Sequence, residues 1–244
     1  NTPSELTMYE AERQSSFFTT GGLAAVHVED RSKQGIWNGF KNKETYATSG
    51  PQILLWFDLI TTSETFPMGS KVNLEKNPVF EVKAVGSFKQ KPGCPDFGLS
   101  ANDNARLKKI CGGECFNPSN ERRNITRIEV IKITPQNYND EPVDELIEDT
   151  WKVFDCKPSQ DGCKIRFSDR EFQRNGRDSV YYVRAIEEPS LRVNGDNLRC
   201  EYDDQGNCIK VNICHGSYLT DKKDDCVSLS EERAWSSPIY VNKI

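Results

Sequence analysis

All nine cysteines of this 244-residue chain lie between Cys94 and Cys226, so the first 93 residues carry none. Their positions (Cys94, Cys111, Cys115, Cys156, Cys163, Cys200, Cys208, Cys214 and Cys226) form no paired C-x-x-C frame, and two histidines add few further zinc ligands. Disulfides formed in an oxidising compartment are the better reading, which places the protein outside the cytoplasm, in a periplasm or secreted. Cys156 and Cys163 flank the turn sequence Pro-Ser-Gln-Asp-Gly, and Cys200 and Cys208 bracket Asp-Asp-Gln-Gly-Asn, so each pair is expected to bridge locally. Cys214 with Cys226 is the next pair. An odd thiol then remains among Cys94, Cys111 and Cys115.

The hydrophobic pattern around these bridges is that of strands. Ile53–Ile60 is a continuous apolar run broken only by Asp58, and Val79–Val85 alternates apolar and polar residues. Ile125–Ile133 alternates with an interruption that suggests a bulge. Shorter strands are expected at Trp151–Phe154, Lys164–Phe167, Val180–Ile186 and Pro238–Val241. About seven strands with turn-rich separators point to a β-sandwich. Two long insertions, 88–123 and 194–232, carry most of the cysteines.

Ahead of the strands, Gly21–Pro51 is the clearest α/β unit. Leu23–Val28 fits a short buried strand, and Ser32 is a good N-cap for a helix from Lys33 to about Thr45. Ile36, Trp37 and Phe40 form one apolar row on that helix. Gly35 and Gly39 each lower helix stability by about 1 kcal/mol relative to Ala. A close approach to the preceding strand explains their presence. A short helix from Glu5 to about Arg13, capped by Ser4, is expected earlier.

Charge and hydropathy exclude some partners. The net charge is −5 with both signs interspersed, which argues against nucleic acid and anionic membranes. No apolar run reaches the roughly 18–20 residues of a membrane span. No signal peptide opens the chain, which suggests a mature or truncated form.

Three groups could carry chemistry. His27 and Glu29, which alternation puts on one face of a strand, lie with Asp30 at a strand end ahead of a helix N-terminus, where α/β folds place sites; their bland reading is a packed histidine and helix-entry acids. Tyr46, Thr48 and Ser49 could offer hydroxyls to a ligand or satisfy backbone groups. The Asp/Asn-rich loops at 102–104, 203–204 and 221–225 lack the glycine and terminal glutamate of a calcium loop. Asn124–Ile125–Thr126 is a glycosylation sequon. No Gly-x-Ser-x-Gly or phosphate-binding glycine loop occurs, and His215 sits beside a cysteine expected to be bridged.

GGLAAVHVEDRSKQGIWNGFKNKETYATSGPQI at 21–53 closely resembles a segment of a bacterial family of exported proteins of unknown function, related to the PHP (polymerase and histidinol phosphatase) metallohydrolases. ITRIEVIK at 125–132, SVYYVRAIEEPSLR at 179–192 and ERAWSSPIYV at 232–241 resemble it in the same order. The resemblance implies a metal-dependent hydrolase of phosphoester or related bonds, with zinc, manganese or iron held by histidines and acids in a distorted α/β barrel. Its His-x-His and Asp-x-His ligand motifs do not occur here, and Asn1–Thr2–Pro3 resembles the family's residues just after the final Asp-x-His. Residues 1–50 are therefore expected to be the closing strand–helix piece of the barrel. Residues 51–244 are expected to be a disulfide-decorated, antiparallel β-sandwich-like region, giving an α+β, mainly β chain. On this expectation the chain binds no metal and is inactive alone, with the N-terminal barrel half as its partner. His27 and Glu29 are placed at the barrel mouth, although His27 stands where the family suggests an aromatic residue. A non-catalytic extracytoplasmic binding module is the competing expectation.

Overall fold

The structure, a computed structural model, describes residues 21–95, 116–193, 195, 199–212 and 226–244. Alternating strands build two sheets. In the first, β3 (Leu54–Ile60) and β6 (Val79–Val85) pair antiparallel, flanked by β4 (Thr65–Pro67) on β3 and β11 (Cys163–Ser168) on β6. The second is wider. β9 (Ile125–Ile133) lies between β10 (Ile147–Asp155) and β12 (Ser179–Glu187), all antiparallel.

The far side of β12 is covered by two short strands in succession. β18 (Ile239–Lys243) pairs with Ser179–Tyr181 and β17 (Arg233–Ser236) with Arg184–Ile186. Pro238 stands between them, where its missing N–H interrupts the ladder. The sheet therefore splits at this edge. β18 continues to β5 (Lys71–Leu74) in parallel, while β17 continues antiparallel to β2 (Thr45–Thr48) and from there to β1 (Leu23–Val26).

The facing surfaces interdigitate into one core. Leu55, Phe57, Leu59, Phe80 and Val82 come from one sheet, and Ile128, Val130, Tyr181, Val183 and Ile239 from the other. Each set repeats every second residue, which puts its members on one face of a pleated strand. Phe80 is the centre, with ring centroids 5.4 Å from Phe57, 5.2 Å from Phe167 and 4.7 Å from Tyr181 across the sheets. Offset aromatic contacts of this kind add to the burial term.

The chain is thus mainly β with antiparallel sheets, as the alternation implies, and Cys156–Cys163 and Cys200–Cys208 are bridged as expected. The first bridge ties the end of β10 to the start of β11, one strand from each sheet. The second closes a hairpin of β14 (Cys200–Tyr202) and β15 (Cys208–Val211). Cys94 and Cys226 are also disulfide-bonded, so the odd thiol is not Cys94. Cys111, Cys115, Cys214 and His215 lie outside the described residues, as do the expected helix at 5–13 and the acidic loops at 102–104 and 221–225. No helix among the described residues is long and apolar enough to cross a membrane.

Gly21–Pro51 departs from expectation in two respects. β1 is an edge strand with Leu23 and Ala24 exposed, not a buried one, because among the described strands only β2 pairs with it. Helix α1 spans Lys33–Lys41 and stops short of Thr45. Lys43 takes a positive φ of 61°, and Thr45, Tyr46 and Thr48 go into the ladder with β1 and β17. β-branched and aromatic residues suit that pleated setting. Other details hold: Ser32 Oγ accepts from Gly35 N at 2.9 Å, and a Cβ on Gly39 would meet Val26 Cγ2 at 2.5 Å and His27 O at 2.7 Å. The helix approaches its strand closely at Gly39. Its apolar row nevertheless points away, leaving Trp37 65 % exposed beside Ile36 and Phe40.

Candidate functional site

The turn at Ser49–Gly50–Pro51 ends β2, and Gly50 adopts a φ of +136° that residues with a Cβ avoid. This delivers Ser49 to the start of β17. Ser49 N donates to Arg233 O at 2.9 Å, Arg233 N donates to Ser49 Oγ at 2.9 Å, and Ser49 Oγ donates to the Glu232 carboxylate. Glu232 is buried and also takes an ion pair from Arg192 Nε at 2.7 Å. Arg192 stands on β13 (Ser190–Val193), paired with β16 (Val227–Ser230).

A second buried carboxylate lies alongside. Glu187, at the end of β12, accepts from the backbone N–H of Ser87 and, at 3.1 Å, from its hydroxyl. Glu187 N donates to Glu232 O at 2.8 Å, so the two acids share one backbone junction. Ser87 and Arg123 flank the base of a hairpin formed by β7 (Phe88–Gln90) and β8 (Pro118–Arg122). Arg123 N donates to Ser87 O at 2.8 Å.

Ser49, Ser87, Arg123, Arg192 and Glu232 border a cleft of about 440 Å³ that also includes Gln52, Gln90 and Phe116, while Glu187 is buried behind Ser87. Burial pushes the Glu187 carboxyl above the ordinary value of 4.5, opposed by the Ser87 hydrogen bonds and the charges of Arg123 and Arg192. Two guanidinium groups, two serine hydroxyls and two amides around one cleft suit a small anionic or polyhydroxylated ligand.

The raised Glu187 value has a consequence for stability. The folded state holds the proton more tightly than the unfolded one, so this contribution is complete below the ordinary glutamate range and declines as pH rises through the folded value. Glu187→Gln is expected to remove that decline. Melting temperatures of both proteins from pH 4 upward, at roughly unit steps, should show the parent losing stability relative to the variant; parallel curves would contradict it.

His27 and Glu29 occupy a different cleft, about 470 Å³, between the end of β1 and α1. β1 ends at Val26, so the two residues do not share a strand face as the alternation suggests. The His27 ring is half-buried, 5.4 Å from Tyr46 and 5.7 Å from Trp56, with Nε2 2.8 Å from Leu55 O. Glu29 is exposed. The Ser32 side chain, and Ser32 N donating at 2.7 Å, hold the Asp30 carboxyl below the usual range and serve the helix start. Among the described residues, no three His, Cys, Asp or Glu side chains are grouped to hold a metal ion.

Of the hydroxyls singled out in the sequence, only Ser49 reaches the charged cleft. Tyr46 is buried, and Thr48 Oγ1 accepts from Gly50 N at 3.3 Å. Asp203 binds its own turn through Gln205 N and Asn207 N at 2.9 and 2.8 Å. Asn124 of the sequon donates to Glu188 at 2.7 Å. Glu187, Arg192, Glu232, Ser87 and Arg123 are not legible as a site in the sequence. Three of them do fall within, or begin, the stretches 179–192 and 232–241.

No curated protein and no solved structure matches the chain. Residues 2–89, which include α1, His27 and the Ser49 turn, match the model of a family described as "Protein of unknown function (DUF3604)".

Proposed function

We propose that this chain is the β-rich C-terminal portion of an exported, PHP-like metal-dependent hydrolase acting on a phosphoester or related bond. In this reading zinc, manganese or iron is held by a barrel portion outside the chain, and this portion is inactive alone. The observation that carries the reading is the outward apolar row of α1. Ile36, Trp37 and Phe40 are exposed side by side on a helix whose other face is already packed at Gly39. An apolar strip so placed marks an interaction surface, and it lies inside the segment that matches the family. The barrel portion is its partner, and the His27–Glu29 cleft adjoins the same helix.

The test uses protein expressed from the complete reading frame. Trp37→Lys is expected to lower manganese- or zinc-dependent hydrolysis of p-nitrophenyl phosphate at least tenfold, the effect of roughly 1.4 kcal/mol lost at the contact. Unchanged turnover in a folded Trp37→Lys protein would remove the docking role of α1.

A second reading is favoured by the Ser49–Glu232–Arg192 cleft. Its paired guanidinium and carboxylate groups make the chain a binding module for a small anionic or polyhydroxylated ligand, without catalysis. Saturable binding to such a ligand, lost in Arg192→Ala, together with no dependence of activity on Trp37, would favour it.

A further inference from the structure

Lys132 is the one lysine whose side chain is directed into the sandwich core among the described residues with buried side chains. It continues the inward row of β9 after Ile128 and Val130, and its side chain is only 6 % exposed. The register places Tyr181 of β12 on one side of it and Glu148 of β10 on the other. Asp169, directly after the last strand residue of β11, reaches in from the opposite sheet and is fully buried. Lys132 Nζ lies 2.7 Å from Asp169 Oδ2, and Tyr181 Oη donates to the same oxygen at 2.7 Å. Glu171 N donates to Oδ1 at 2.9 Å, and Glu148 Oε1 lies 4.0 Å from Nζ. The Trp151 ring flanks the ammonium, its centroid 5.3 Å from Nζ.

We infer that Lys132 and Asp169 form a covalent cross-link, an amide between Nζ and Cγ that joins the two sheets. An amine and a carboxyl held in contact away from water react as a unimolecular pair, and such positioning replaces most of the entropic cost of bringing reactants together. The ammonium first returns a proton to Oδ2. The neutral Nζ then attacks Cγ, and the developing negative charge on Oδ1 is held by the Glu171 N–H. Glu148, beside Nζ, takes the second nitrogen proton and delivers it to Oδ2, which leaves as water. One N–C bond forms, one C–O bond breaks, one water is released, and no atom changes oxidation state.

Intact mass measured after reduction of the disulfides tests this without a variant. The expected mass is one water below that of the reduced sequence, with tryptic cleavage after Lys132 blocked and the Lys132 peptide joined to the Asp169 peptide. A full sequence mass would overturn the inference. So would a water loss that leaves those two peptides separate, such as cyclisation at Asp161–Gly162. Lys132→Met should regain the full mass. Glu148→Gln, altering a half-exposed side chain, should accumulate unlinked protein; linkage as complete as in the parent would overturn the relay assigned to Glu148.

Discussion

Phe80→Ala is expected to destabilise the protein by about 3–5 kcal/mol, the range for deleting a buried aromatic ring. Phe80 is fully buried and contacts Phe57 and Phe167 in its own sheet and Tyr181 in the other. No other residue described touches both halves of the aromatic column so closely, and removing its ring leaves a cavity that rigid neighbouring strands cannot close. Phe88→Ala is the control: Phe88 is half-buried on the β7–β8 hairpin, with Arg122 stacked on its ring at 3.8 Å. Urea denaturation of both proteins gives the comparison. A Phe80 loss below about 1 kcal/mol, within the ordinary scatter of surface changes, would mean that the sheets are not held together at this ring.

Gly86→Ala should be as damaging for a different reason. A Cβ there would sit 1.9 Å from the carbonyl oxygen of Arg123 and 2.8 Å from its carbonyl carbon. Backbone cannot rotate aside as a side chain can, so the strands must separate, with an expected cost of about 3 kcal/mol or more. The separation falls where Ser87 binds Glu187 and where Arg123 borders the cleft, so ligand binding there should weaken together with stability. Gly21→Ala, at the same cleft but facing open space, should change stability by no more than about 0.5 kcal/mol. Equal melting temperatures for the Gly86 and Gly21 variants would show that the close approach is not a real constraint.

The long strands are legible because their side chains report their own environment. β6 and β9 have the bounds that their sequence patterns imply: β6 buries Phe80, Val82 and Ala84 in alternation, and β9, between two strands, is buried without a break from Ile128 to Lys132. The short strands are not. β2, β5 and β17 are four residues each, too few for a period to show, and they are strands because partners distant in sequence offer them a ladder. Thr45 reads as the end of a helix because its tie to Ser237, 2.9 Å between hydroxyls, spans nearly the whole chain. The charged cleft is hidden for the same reason. Ser49, Glu187 and Glu232 meet only through the β2–β17–β12 pairings.

His27 and Glu29 illustrate the opposite error, in which neighbours in sequence suggest a shared face. The strand ends before His27, and the two side chains then border one cleft while doing different things. The cysteine pairs flanking short turns are the most readable feature, because a turn of that length brings their Cα atoms to 5.7 and 5.4 Å, within bridging distance.

The central claim is that the reaction belongs to a larger hydrolase whose metals are held outside this chain. Metal content and phosphoester hydrolysis, measured side by side for this chain and for the product of the complete reading frame, test it most directly. The account predicts stoichiometric zinc, manganese or iron and metal-dependent turnover in the complete product, with neither in this chain after dialysis. Stoichiometric metal and turnover in this chain alone would contradict it, and so would a complete product that carries no metal.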